Sequence, residues 1–264
     1  MKILTVTGSH PRHLYMIKSL KHVGHDVTSV VMRRENLHAG GRNPGGKLAK
    51  MHFSIREDVE LQTFGDLSPR DFADIEIDAE QITKGHLSLS AVQLAQFDLG
   101  LVFGTSLLPA SLLSILPRMT FNLHLGISPR YRGAATLFWP FYMLEPNWAG
   151  YTVHKLTDEP DAGDVVLRGA PGLKRGMRMH DVAGAATHEG LEAMVKLASH
   201  LDSGHDLVYK KQIATGKNWL QSDFREPHLQ VIYEKFGDSL VDMYLDGDLG
   251  FIKPPILHGL SFPN

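Results

Sequence analysis

The sequence predicts an α/β fold, a mostly parallel sheet flanked by helices, with a short C-terminal extension. Three observations predict it. The chain opens with a β-branched run at residues 2–7 that stops at Gly8, then places Leu14, Ile17 and Leu20 at helical spacing before a second apolar run at 26–32. Residues 98–104 are apolar almost throughout, the pattern of a strand covered on both faces. Strand-like and helix-like patterns keep alternating up to a long amphipathic stretch at 179–201.

Composition narrows the class. A chain of 264 residues with 43% hydrophobic and 21% charged residues can bury a substantial core as one large or two small domains. The net charge of −2 argues against a general nucleic-acid binder. The absence of Cys excludes disulfides, thiolate metal ligands and a thiol nucleophile. The opening apolar run is too short for a signal peptide, and no stretch has the roughly twenty apolar residues of a membrane helix. The cytoplasm is the expected compartment.

In chain order, the first turn reads Gly8-Ser9-His10-Pro11-Arg12-His13. It lacks the dinucleotide fingerprint. It puts a helix N-terminus beside Arg12 and His13, an arrangement suited to an anion; solvated basic residues after a helix-starting proline are the alternative. Residues 33–50 carry five basic residues against Glu35 and four glycines, which reads either as a phosphate-capturing loop or as an ordinary surface loop. A helix is expected over 52–64, a short strand at Ile75 and Ile77, and a helix over 89–97 with Val92, Leu94 and Ala95 inward. The strand at 98–104 turns through Thr105-Ser106-Leu107-Leu108-Pro109 into a helix near 110–116. The strand over 119–123 delivers Asn122 and His124, two apart and so on one face.

Residues 134–144 read as an aromatic-rich helix whose Phe138, Trp139, Phe141 and Tyr142 belong to the core. Residues 151–156 alternate like a strand, and His154, on the face of Thr152, reads first as a satisfied structural histidine and second as a residue bordering the site. An acidic loop, Asp158-Glu159-Pro160-Asp161-Ala162-Gly163-Asp164, leads to another strand over 164–167. Beyond the long helix, 207–213 suits an edge strand, Leu229, Ile232, Tyr233 and Phe236 repeat at helical spacing, 240–245 suits a short helix, and the proline-rich end is expected to be loose. Two units are therefore expected: 1–205, and an extension at 206–264 that caps the core or joins a homodimer.

An Asn-x-His pair, a Ser128-Pro129-Arg130-Tyr131-Arg132-Gly133-Ala134 loop, and then Thr-x-His followed by Asp161-Ala162-Gly163-Asp164 together resemble the folate-dependent formyltransferases. The resemblance implies a Rossmann-like fold, N10-formyltetrahydrofolate as co-substrate, and a catalytic trio at Asn122, His124 and Asp161. It implies a pterin pocket lined by Ser106, Leu107 and Leu108. Arg12, His13, Arg130 and Arg132 are the candidate contacts to a phosphate-bearing small-molecule amine. The loop after His124, Leu125-Gly126-Ile127-Ser128-Pro129, departs from the usual Pro/Gly-Ser-Leu-Leu-Pro pattern, and the first turn departs from the Gly-Ser-Asn turn of the glycinamide ribonucleotide enzymes. A nucleotide-linked amino sugar is therefore the first expected acceptor. Glycinamide ribonucleotide comes second. Methionyl-tRNA comes third, opposed by near-neutral charge and a tail too short for that enzyme's β-barrel domain. A formyltetrahydrofolate hydrolase or an inactive folate-binding module are the other readings. The His and Asp spacings match no familiar zinc motif, so no metal is expected.

Overall fold

In a computed structural model, which describes residues 1–33, 45–78, 96–108, 110–114, 116–213 and 216–260, the first β-α-β unit forms as its pattern dictates. Strand β1 (Lys2–Gly8), helix α1 (Pro11–His22) and strand β2 (Asp26–Arg33) follow one another, and the two strands pair in parallel. Alternation assigns the faces: Ile3 points to the core under α1, while Leu4 and Val6 join Val30 and Met32 on the opposite face. Helix α2 (Lys47–Phe64), the short helix α3 (Pro69–Phe72) and strand β3 (Ile75–Asp78) come next. Helix α2 begins earlier than its pattern suggests, so Lys47 and Lys50 are helical. Most of the basic stretch, residues 34–44, and the helix expected at 89–97 as far as residue 95 lie outside the described residues.

Strand β4 (Leu99–Phe103) is buried along its whole length, as an all-apolar run requires. The helix after it, α4 (Ala110–Leu113), is shorter than expected. Strand β5 (Thr120–His124) follows, then a two-residue strand β6 (Arg132–Gly133). The aromatic segment makes only one helical turn, α5 (Trp139–Tyr142), because Pro140 and the left-handed Ala135 and Leu144 bound it. Its aromatics are nonetheless core: Phe138, Trp139 and Phe141 are buried. Strands β7 (Tyr151–Lys155) and β8 (Val165–Gly169) lead to α6 (Met179–Asp202), which buries Leu191, Met194, Val195 and Ala198.

Eight strands form one sheet, with a last short strand, β10 (Leu257–His258), at one edge, in the order β10-β8-β7-β5-β4-β1-β2-β3. Pairings from β3 to β5 are parallel, and those from β5 to β10 antiparallel. The strand order reverses beside β1, where α1 and β4 depart in opposite directions, and a crevice opens there at the carboxyl ends of β1, β4 and β5.

The tail is more built-in than its sequence suggests. Residues 207–213 form only isolated bridges, Leu207 with Leu260 and Lys210 with Val165, not an edge strand. The edge strand is β10 (Leu257–His258), in the proline-rich stretch expected to be loose. Strand β9 (Asn218–Trp219) pairs with β6, helix α7 (Glu226–Gln230) runs into a π-helical turn at Val231–Lys235, and α8 (Leu240–Asp246) is the last helix among the described residues. Phe224, Leu229, Ile232, Leu240 and Val241 pack with Phe53 of α2, Val182 of α6 and the aromatics of α5 in a second core. Among the described residues no helix is long and apolar enough to cross a membrane.

Candidate active site

The site forms where β5 ends. His124 is buried at the strand's last position, and Asn122, two residues back, is half-buried on the same face. The acidic loop between β7 and β8 returns beside them, and Asp161 reaches across with its backbone in the left-handed region at φ 50°. His124 Nδ1 lies 3.4 Å from Asp161 Oδ1. The structure thus brings the three predicted residues together.

It also adds a fourth. His154 stands opposite Asn122 in the antiparallel β5–β7 ladder. Its Nε2 is 3.2 Å from the Asn122 amide nitrogen and 3.6 Å from Asp161 Oδ1. Of the two readings of His154, the structure favours the one that borders the site: its ring is part of the polar cluster. The signal was present in the alternation that puts Thr152 and His154 on one face, but only strand pairing places that face against Asn122.

Hydrogen bonding sets the protonation logic. His124 Nε2 donates to the Tyr131 carbonyl at 2.8 Å, and His154 Nδ1 donates to the Lys155 carbonyl at 2.9 Å. In the neutral rings the other nitrogen is then a lone pair. For His154 that lone pair accepts from the Asn122 amide. For both rings it faces Asp161 Oδ1, at 3.4 Å from His124 and 3.6 Å from His154. Burial pushes the Asp161 carboxyl up, but His124, His154 and the Gly133 amide outweigh it and hold the acid well below the usual carboxylate range.

The acid loop is clamped from two sides. Arg132, itself buried, donates to the Pro160 carbonyl at 2.7 Å. Gln212, from the tail, donates to the Asp161 carbonyl at 3.2 Å and to the Gly163 carbonyl at 2.5 Å. No motif singles out Gln212; its role comes from a segment fifty residues away folding back.

Two clefts meet at this cluster. One, of about 540 Å³, is lined by Ser106, Leu107, Leu108, Asn122, His124, His154 and Asp161, with Leu156 to Pro160 and Asn218 to Gln221 as its far wall. Leu107 is exposed there, and the buried Ser106 hydroxyl has no hydrogen-bond partner among the described residues. The other, of about 420 Å³, runs between α2, α6 and the tail and is lined by Phe53, Arg56, Glu60, Phe138, His180 and Phe224 among others. Arg12, Thr105, Leu125, Thr136 and Gln221 border both. Each has the size of a ligand site.

The four predicted substrate contacts separate. Arg12 borders both clefts but is ion-paired with Glu60 of α2. His13 lines the first cleft as a packing group, its ring wedged against Gly8 and Gly104 and edge-on to Phe103 at 4.7 Å. Arg130 lines neither cleft: it forks onto Glu145 at 3.0 Å from Nε and lies 4.9 Å over the Trp148 ring. Arg132 holds the acid loop, as described. Among the described residues no group of three or more His, Asp or Glu side chains is arranged to hold a metal ion.

Residues 69–197 match the formyl transferase family. That span is just under half of the chain and contains Asn122, His124, His154 and Asp161. Over 110 residues, 42% of this chain and 35% of the relative, it is 34% identical to a methionyl-tRNA formyltransferase of Rhodopseudomonas palustris. The matches to the first such relatives span 35%, 55% and 40% of their lengths. The fold is shared with formyltransferase PseJ from Anoxybacillus kamchatkensis, solved with UDP-4,6-dideoxy-4-formamido-L-AltNAc and tetrahydrofolate, at TM-score 0.56 and 13% identity over 91% of this chain and 96% of that one. It is also shared with glycinamide ribonucleotide transformylase 1 from Symbiobacterium toebii, at TM-score 0.53 and 16% identity over 81% and 94%.

Proposed function

We propose that this protein transfers a formyl group from N10-formyltetrahydrofolate to the primary amine of a nucleotide-linked amino sugar. The observation that carries the reading is Asp161 seated between His124 and His154, with the Asn122 amide beside them, where two ligand-sized clefts meet. A two-substrate transfer needs such a junction. The cleft with Ser106, Leu107 and Leu108 takes the folate, and the cleft between α2 and α6 takes the acceptor.

The chemistry follows from the donors. The neutral amine attacks the formyl carbon, forming a C–N bond and a tetrahedral oxyanion. Asn122 uses one N–H on His154 and has a second for the oxyanion; losing such a donor costs about 10²–10³ in rate. His124, with one nitrogen on a backbone carbonyl and the other facing Asp161, is held in one orientation beside the reacting atoms. The C–N10 bond then breaks, and the amine's proton goes to N10 of the departing tetrahydrofolate. The sugar acceptor is supported by the likeness in fold to the enzyme solved with a nucleotide-linked formamido sugar.

The test mixes the full chain and its Asn122→Ala variant with N10-formyltetrahydrofolate and a panel of nucleotide-linked amino sugars, glycinamide ribonucleotide, methionyl-tRNA and water alone. Product mass and tetrahydrofolate release are followed. A formamido sugar from the wild type, lowered at least a hundredfold in the variant, is expected. Turnover with water alone would make the protein a hydrolase, and formylation of another panel member would reassign the acceptor.

A further inference from the structure

The second cleft holds a charge imbalance that the transfer chemistry does not use. Arg12 at the start of α1 and Arg56 in the middle of α2 both point at one oxygen of Glu60: Arg12 as a direct ion pair, Arg56 through Nε at 3.5 Å. The side chains of both arginines are 20% exposed and that of Glu60 12%. Two guanidinium groups thus share one carboxylate in a half-closed space. Arg56 Nε is buried and finds no hydrogen-bond partner among the described residues, while its guanidinium lies 5.1 Å over the Phe53 ring. Burial comes first among the influences lowering its proton affinity, followed by Arg12. The buried rings of His52 and His180 on the same wall are held neutral, mainly by burial, and add no charge. Glu57 and Asp181 flank the cleft on exposed positions and do not line it.

Two guanidinium groups set against one carboxylate on the lining of a cleft favour an incoming oxyanion, which would offset the excess positive charge. An Arg pair also grips such a group with more directional bonds than an ammonium can. We infer that Arg56 and Arg12 form an oxyanion subsite in the cleft between α2 and α6, taking a phosphate or carboxylate of the acceptor while Phe53, Phe138 and Phe224 seat its ring portion. Calling the ligand the acceptor rests on the transfer reading above; the anion site itself does not. The inference moves the anion away from the helix N-terminus suggested by the first turn. Glu60 already meets Arg12 there in a direct ion pair, so the guanidinium with the looser carboxylate contact is on α2.

Calorimetric titration of the full-length protein tests this, with inorganic pyrophosphate and succinate as probes. At least one probe is expected to bind, at least tenfold more weakly in Arg56→Ala and with partial recovery in Arg56→Lys. Glu60→Gln, which removes the competing carboxylate, is expected to tighten binding severalfold. Preference for pyrophosphate or for succinate identifies the anion as phosphate or carboxylate. Unchanged affinity in Arg56→Ala, weaker binding in Glu60→Gln, or no binding of either probe by the wild type would overturn the subsite. Near-UV circular dichroism of each variant confirms that its fold is kept. Tetrahydrofolate titration of the same samples separates the two readings: its failure in the wild type, with anion binding intact, would count against formyl transfer and not against the subsite.

Discussion

At the residue scale the decisive contact is between Asn122 and His154. An amide is useful to an oxyanion only if its plane is held, and the His154 ring holds it at 3.2 Å. His154 in turn is oriented by the Lys155 carbonyl and balanced by Asp161. It is a positioning residue in this arrangement. Replacing His154 by Ala frees the Asn122 side chain and leaves Asp161 with one imidazole. The expected result is a loss of roughly tenfold to a hundredfold in kcat with little change in KM. His154→Gln, which restores an acceptor for the Asn122 amide, should recover part of the loss. A purely structural role would lower the melting temperature without moving kcat, and steady-state kinetics with melting curves separates the two.

At the element scale, two helices are capped from outside their own sequence. Helix α2 starts after Gly46, which has no side chain to offer. Its free backbone amides at Gly46 and Leu48 donate instead to the Glu226 carboxylate of α7, at 2.9 and 3.1 Å. A carboxylate there also meets the positive end of the helix dipole. Glu226→Ala is expected to lower stability by about 0.5–2 kcal/mol in urea unfolding. Because α2 carries Arg56 and Glu60, the same change should disturb anion binding in the second cleft. Helix α6 shows the opposite economy. Asp238 accepts from the Met179 amide at 3.0 Å, yet burial drives its carboxyl pKa up to about 6. The folded state therefore binds this proton more tightly than the unfolded chain, and stability falls as pH rises from roughly 4, the unfolded value, to about 6. Asp238→Asn keeps an acceptor and suits the left-handed backbone at φ 54°. It should match the wild type near pH 4 and exceed it by about 1–3 kcal/mol above pH 7, read from urea midpoints at the two pH values.

At the scale of the whole molecule the tail is the surprise. It supplies Gln212 to the acid loop, Gln221 to both clefts, Glu226 to α2 and β10 to the sheet edge. It also buries Phe224, Leu229, Ile232, Leu240, Val241 and Leu249. At about 1.5–3 kcal/mol each, those six side chains contribute on the order of 9–18 kcal/mol of burial. That is comparable with the roughly 5–15 kcal/mol by which a whole domain is stable. A chain ended after residue 205 is therefore expected to lack a cooperative melt by circular dichroism. A sharp transition in that fragment would show that 206–264 only decorates an independent domain.

The parallel half of the sheet was legible because each of its strands is short, apolar and followed by a turn signal; β1, β2, β4 and β5 and the long α6 lie within a residue or two of their patterns. Asn122, His124 and Asp161 were legible because their spacing around Ser128-Pro129-Arg130-Tyr131-Arg132 is specific. What local pattern misses is partnership. Arg130 and Arg132 look alike in sequence, but neighbours in a loop point opposite ways, and one meets Glu145 while the other meets the Pro160 carbonyl. His154 enters the site through strand register, Gln212 through a chain reversal, and Arg12 loses its apparent freedom to Glu60, forty-eight residues on. The sequence by itself determined the alternation of strands and helices that builds the core, since that follows from periodicity within a short window, and its resemblance to the formyltransferase motifs singled out Asn122, His124 and Asp161 as candidates. Tertiary structure alone decided which charges are compensated and which donors are left over, because a buried group's state depends on whichever groups are packed against it, however distant in the chain.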